Sequence, residues 1–296
     1  MKIGFSISDV KTFFTEEEYF SRLKEIGYDA LDYSINTVCG KPDEMFSSRK
    51  AWTDCYKNTA SLAKRIGIEV GQTHATFATN FDGERRLSQK CLDQYKKEIE
   101  ATAILGAPYI VIHPINFAVL ERDKEENRKN NLEAFSLLEP TLREFNIKLG
   151  VEDMFIWDGR RGSHVRTDIS TPTDMVEVID TLNDTLGSDR FVACLDTGHM
   201  HIHAIQPDTA VKVLGKRTKL LHVHDNYGSR DNHNGIGQGI TDWKALALAL
   251  KEVGYDGVFS LEVGLKSVYS VSPETMWAYV DYCYKAAKQV VKMIEE

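Results

Sequence analysis

Eight apolar, β-rich runs alternate with eight amphipathic helical stretches along this chain, and few folds accommodate that rhythm. The runs cover residues 3–6, 30–33, 68–73, 109–113, 148–152, 191–196, 220–222 and 258–262. Several are nearly unbroken Val, Ile, Leu, Tyr or Phe, which suits strands covered on both faces in a parallel sheet. Helical periodicity fills residues 16–26, 48–66, 84–105, 124–145, 173–186, 208–214, 243–253 and 273–296. Gly27, Gly67, Gly106, Asn146, Gly187 and Gly254 stand where helices stop before the next strand. No linker, repeat or break in composition divides the chain. The expectation is one α/β domain over residues 1–296, a single (β/α)8 TIM barrel. A doubly wound sheet is the rival, and eight near-equal units favour the barrel.

The formal net charge of -8 supplies no basic footprint for nucleic acid or anionic membranes. Neither a signal peptide nor a membrane-spanning run is read from the sequence. Five cysteines, an odd number with no C-x-x-C, read as reduced thiols, so a cytoplasmic protein is expected.

In a barrel all strand C-termini point to one end, where active sites lie. Six consecutive runs deliver an Asp, Glu or His there: His74, His113, Glu152, Asp196, His222 and Glu262. Any one of them alone reads as a satisfied polar residue at a strand end. Six together point to a metal, because divalent ions need carboxylate and imidazole donors converging from different elements. Glu152, Asp196, His222 and Glu262 make one carboxylate-rich set for Mn²⁺, Zn²⁺, Mg²⁺ or Co²⁺. His74, His113, His199, Asp231 and His233 are further donors around it, as ligands of additional ions or as substrate contacts.

The densest chemistry lies between Phe191 and His233, in FVACLDTGHMHIH, LLHVHDN and SRDNH. Phe155 and Trp157 could line the pocket and stack on a substrate. Arg230 and Lys266 could neutralise an anionic group on a substrate. His203 is expected to face solvent, and His201 to lie in a loop or helix start. His224 is expected to point away from the cluster unless the strand has already ended there.

These residues resemble the xylose isomerase-like TIM-barrel superfamily over essentially the whole chain. The resemblance rests on Glu152, the LDTGHMHI run with Asp196 and His199, His222 with Asp225, the Asp231-x-His233 loop with GQGITDW, and Glu262. It implies that Glu152, Asp196, His222 and Glu262 hold the ion, as in ketose 3-epimerases and inosose isomerases. It also implies that Glu152 and Glu262 are the acid/base pair and that His199 touches a substrate oxygen. The group includes dimers and tetramers, so a homo-oligomer is one expected assembly. The related class II apurinic endonucleases hold three zinc ions, and the matching positions are filled here: His74 and His113 with Glu152, and His199 with Asp231 and His233. The neighbourhoods GVEDMF and HVHDNYG depart from the endonuclease pattern.

The expected function is therefore a metal-dependent isomerase or epimerase of a sugar, polyol or sugar phosphate. It would abstract a proton through a metal-stabilised enediolate. The alternatives are an apurinic endonuclease-like phosphodiesterase and a carbohydrate lyase or dehydratase on the same scaffold.

Overall fold

The computed structural model describes residues 1–7, 14–35, 48–77, 86–115 and 124–296. In chain order the strands are β1 (Ile3–Ser6), β2 (Ala30–Ser34), β3 (Glu69–His74), β4 (Tyr109–Ile112), β5 (Lys148–Glu152), β6 (Phe155–Asp158), β7 (Ser163–Arg166), β8 (Phe191–Asp196), β9 (Thr218–His222) and β10 (Phe259–Leu261). Eight of them pair in the order β10-β1-β2-β3-β4-β5-β8-β9, while β6 and β7 form a separate antiparallel hairpin. The ring closes just past His222, where Val223 N donates to Ser260 O at 2.8 Å and Glu262 N donates to Val223 O at 3.0 Å. This closure makes the fold a single (β/α)8 barrel and excludes the open, doubly wound alternative.

The helices are α1 (Glu16–Ile26), α2 (Arg49–Ile66), α3 (Gln89–Leu105), α4 (Lys124–Phe145), α5 (Pro172–Leu186), α6 (Thr197–Ile202), α7 (Pro207–Leu214), α8 (Trp243–Val253), α9 (Lys266–Tyr269) and α10 (Pro273–Glu295). Thr15, Ser48, Ser88, Thr171, Asp242 and Ser272 each cap a helix by accepting from a first-turn N–H. The six expected stop residues all take positive φ, Asn146 among them. The third helix begins at Gln89 and not at residue 84, because Ser88 caps it there.

Strand alternation explains the barrel's contents. Val111, Val192, Cys194 and Leu220 form a small apolar cluster of their own, apart from the main helix–sheet core. Two residues further along each strand the inner face becomes polar, with His113, Asp196 and His222. Gly150 leaves room inside the barrel: a Cβ there would stand 2.3 Å from Leu220 Cδ1. A plug of aliphatic side chains therefore floors a polar chamber at the C-terminal end.

Three elements were not anticipated from the sequence: the β6–β7 hairpin and the short helices α6 and α9. Cys91, Cys194 and Cys283 are free and buried, whereas Cys55 is disulfide-bonded. That bond departs from the all-reduced reading, and Cys39 lies outside the described residues. No helix among the described residues is long and apolar enough to cross a membrane.

Candidate metal centre

Glu152 is the hub of the chamber. Its Oε1 lies 2.9 Å from His222 Nδ1, and its Oε2 lies 2.8 Å from His113 Nε2 and 3.5 Å from His74 Nε2. Glu262 Oε2 approaches the same His222 Nδ1 at 3.2 Å. Donor atoms of Glu152, Asp196, His222 and Glu262 all fall within 4.8 Å of one another. Asp196 ends β8 and caps α6, with Oδ1 accepting from Gly198 N and His199 N, both at 2.8 Å. The α6 cap therefore fixes the orientation of this carboxylate.

The histidines are aimed. A carbonyl can only accept, so His74 Nδ1–H donates to Ala75 O at 2.8 Å, His199 Nδ1–H to Asp153 O at 2.7 Å, and His233 Nδ1–H to Glu262 O at 2.9 Å. Each then presents Nε2 to the cluster. His222 is reversed: Nδ1 faces Glu152 and Glu262, while Nε2 lies 3.0 Å from Asp32 Oδ2. Locking one ring nitrogen so that the other is offered as a ligand is the arrangement metal-binding imidazoles adopt.

Asp32 reaches His222 through an irregularity. The β2–β3 register shifts between Leu31 and Asp32, which skips Gly71 and sets Asp32 opposite Gln72. Gln72 Nε2 donates to Asp32 Oδ2 at 2.9 Å, and both residues are buried. Asp32→Asn is expected to weaken divalent-ion affinity by about 10–100-fold with little change in the melting temperature of the metal-free protein. A chelator competition titration measures this, and an unchanged affinity would detach Asp32 from the centre.

The carboxylates of the chamber meet imidazoles rather than lysines or arginines. Glu152, Asp196, Asp231 and Glu262 crowd one chamber, and among the described residues no Lys or Arg ion pair reaches them; their partners are histidines. Burial favours the neutral form of Glu152, but His222 and His113 outweigh it and hold the carboxyl well below the usual range. Burial likewise opposes charge on His233, yet the Asp231 hydrogen bond and the Glu262 charge push it up to about 10. Without an ion these carboxylates are compensated only by protonated imidazoles, and a divalent ion would take the place of those protons. Glu152 Oε2 is buried without a well-formed hydrogen bond. The residues fit the ion.

A cavity of about 370 Å³ opens above the cluster, lined by His74, Phe77, His113, Glu152, Phe155, His199, Asp231, His233 and Glu262, among others. A larger one, about 720 Å³, lies at the opposite mouth beside Lys2, Glu69, Lys219 and Asp256. Among the described residues, the imidazole–carboxylate groups gather around the first.

The expected residues fall into place unevenly. His74, His113, His199, Asp231 and His233 all border the cavity. Trp157 does not: it is half exposed on β6 and packs against His164, while Phe155 on the same hairpin lines the wall. Arg230 and Lys266 are exposed and off the lining. His203, expected at the surface, is buried with Nε2 3.2 Å from Met154 O, because α6 turns it back onto the barrel. His201 is occupied by Thr241 Oγ1 at 2.8 Å. His224 meets the condition that the sequence left open. The strand ends at His222, and His224 turns into the cluster with Nε2 2.9 Å from Asp196 Oδ1. Asp153 was missed: it is wholly buried, accepts from Asp196 N at 2.9 Å, and burial pushes its carboxyl well up.

Residues 18–279 match the family described as xylose isomerase-like TIM barrel. The chain belongs to that family. Within it, a D-psicose 3-epimerase of Enterocloster bolteae is 22% identical over 249 residues, covering 83% of this chain and 76% of that protein. A probable endonuclease 4 of Oceanobacillus iheyensis is 28% identical over 237 residues, 74% of each. Among solved structures, a D-tagatose 3-epimerase-like protein superposes with a TM-score of 0.75 at 23% identity, over 100% of this chain and 98% of that one. The IOLI protein with a binding zinc atom gives 0.72 at 19% identity, over 100% and 98%. At those identities the structural likeness establishes the fold. Both kinds of name occur among the relatives, so the site has to decide between them.

Proposed function

We propose that this chain is a metal-dependent isomerase or epimerase of a sugar, polyol or sugar phosphate. One observation carries the reading: Glu152 and Glu262 arrive from β5 and from the end of β10 to flank His222 Nδ1, at 2.9 and 3.2 Å, beneath a cavity of monosaccharide scale. The relatives named as epimerases support it. When bound by Glu152, Asp196, His222 and Glu262, a divalent ion polarises a substrate carbonyl and stabilises charge developing on its oxygen.

The chain's own groups do the rest. One of the two glutamates takes the proton from the carbon beside the carbonyl. The other returns it, on the opposite face or at the neighbouring carbon. His199 Nε2 is turned toward the cavity, placed for a substrate hydroxyl. Phe77 and Phe155 give apolar walls that exclude water from the reacting carbon.

The endonuclease reading has one specific observation in its favour, the His74–His113 pair on Glu152 Oε2. The net charge of -8 opposes it. The test is solvent exchange. Ketoses, ketose phosphates and inososes are incubated in D₂O with the Mn²⁺-loaded protein and followed by proton NMR. Deuterium should enter the carbon next to the carbonyl, and EDTA should stop it. Nicking of an abasic duplex with no exchange into any of these compounds would overturn the proposal.

A further inference from the structure

Asp153 follows Glu152 directly, is wholly buried, and does not line the cavity. Its place at the end of a strand ladder gives it two partners. The β5–β8 pairing runs as far as Glu152 opposite Cys194. Two residues further on, Asp196 N donates to the Asp153 side chain, Oδ1, at 2.9 Å. The main-chain carbonyl of Asp153 takes a different donor, His199 Nδ1–H, at 2.7 Å. Asp196 is the N-cap of α6 and His199 lies in its first turn. Asp153 therefore grips the start of α6 at two points, once through its side chain and once through its backbone.

The segment that carries Asp153 is itself anchored. Met154 N donates to Ile169 O at 2.8 Å. Met154 O accepts from Ser170 Oγ at 2.6 Å and lies 3.2 Å from His203 Nε2, one turn of α6 beyond His199. On its other side the His199 ring meets Phe155 edge-on, with centroids 4.9 Å apart and planes at 90°. The remaining oxygen, Asp153 Oδ2, is buried without a hydrogen-bond partner and stands 4.0 Å from His199 Nδ1. Among the described residues no Lys or Arg ion pair reaches Asp153. The place calls for an acceptor of the right length, and a negative charge there has nothing to neutralise it.

We infer, resting on the function proposed above, that Asp153 is a positioning residue of the metal centre. Its side chain sets where Asp196 presents its carboxylate, and its carbonyl sets where His199 Nε2 points. One peptide bond joins it to Glu152, so a single residue fixes the proton carrier at the end of β5 relative to the ligand and the substrate contact at the start of α6. Partners that orient a ligand without touching the ion typically change metal affinity by about 10–100-fold when removed.

The test separates length, charge and plain stability. Zn²⁺ affinity of the whole protein is measured by chelator competition, with the melting temperature of the metal-free protein alongside. Asp153→Ala should bind Zn²⁺ about 10–100-fold more weakly than wild type. Asp153→Asn keeps an oxygen for Asp196 N and should return to within about threefold of wild type. KM for the substrate found by solvent exchange should follow the same order, because His199 moves with α6. If Asp153→Ala does not fold, Asp153→Ser, whose shorter hydroxyl falls short of Asp196 N, takes its place. Wild-type affinity in the alanine or serine variant, with only a lower melting temperature, would make Asp153 structural and overturn the inference. An asparagine variant as weak as the alanine one would assign the effect to charge and overturn it too. The affinity is read apart from turnover, so either result leaves the proposed function standing, whereas a failed solvent-exchange test removes that function and leaves the titration intact.

Discussion

Glu152→Gln is expected to lower kcat by about 10³-fold while leaving the barrel folded, the scale of a lost general acid or base. The substitution keeps the side chain's shape and one carbonyl oxygen. His222 Nδ1, 2.9 Å from Oε1, keeps a partner, and His113 Nε2, 2.8 Å from Oε2, meets the new amide N–H as an acceptor. What disappears is the basic oxygen and one negative ligand. Glu262→Gln should show a similar loss in kcat, because the return of the proton needs the second carboxylate. Steady-state kinetics on the substrate found by solvent exchange, with circular dichroism as the fold control, separates turnover from binding. If both variants stayed within about threefold of wild type, the two glutamates would not be the proton carriers. A loss of metal without loss of exchange would show that they are ligands only.

Much of this centre could be read before any coordinates existed, and the reason is specific. Parallel strands in a closed barrel end at one face, so a polar residue terminating an apolar run is placed in three dimensions by position alone. Glu152, Asp196 and His222 were legible that way, and His113 and Glu262 lie one residue past their strands. Asp32 was not legible: it sits inside an apolar run, and only the skipped Gly71 in the β2–β3 register brings it to His222. His224 could be placed only conditionally, because its direction depends on where β9 stops, and strand ends are the least determined feature of a sequence pattern. The β6–β7 hairpin escaped because its strands lie largely outside the core and SHVR has no apolar run of the kind that marks the barrel strands. Composition misled on Cys55, whose disulfide leaves no mark in a cysteine count.

The loop that carries Asp231 and His233 depends on one carboxylate, and Asp225→Ala is expected to show it. Asp225 is fully buried. Its Oδ1 accepts from Thr241 Oγ1 at 2.8 Å, Asn226 N at 3.1 Å and Thr241 N at 3.2 Å, and its Oδ2 accepts from Gly237 N at 3.2 Å. The backbone adds a reciprocal pair with Asn234, at 2.8 and 2.9 Å. Gly239 packs so tightly here that a Cβ would stand 2.3 Å from Asp225 Oδ1 and from Asn226 O. Removing the carboxylate leaves four donors without this partner at once, Asn226 N buried and the other three part-buried. Each costs about 1–3 kcal/mol if water cannot replace the partner, and partial relaxation leaves a net loss of about 3 kcal/mol. The urea midpoint should fall accordingly. Asp225→Asn keeps an oxygen for Thr241 and turns an N–H toward Gly237 N, so it should lose less, about 1–2 kcal/mol. If Asp225→Ala moved stability by under about 0.5 kcal/mol, the level of an ordinary surface change, the loop would be held by something other than this carboxylate.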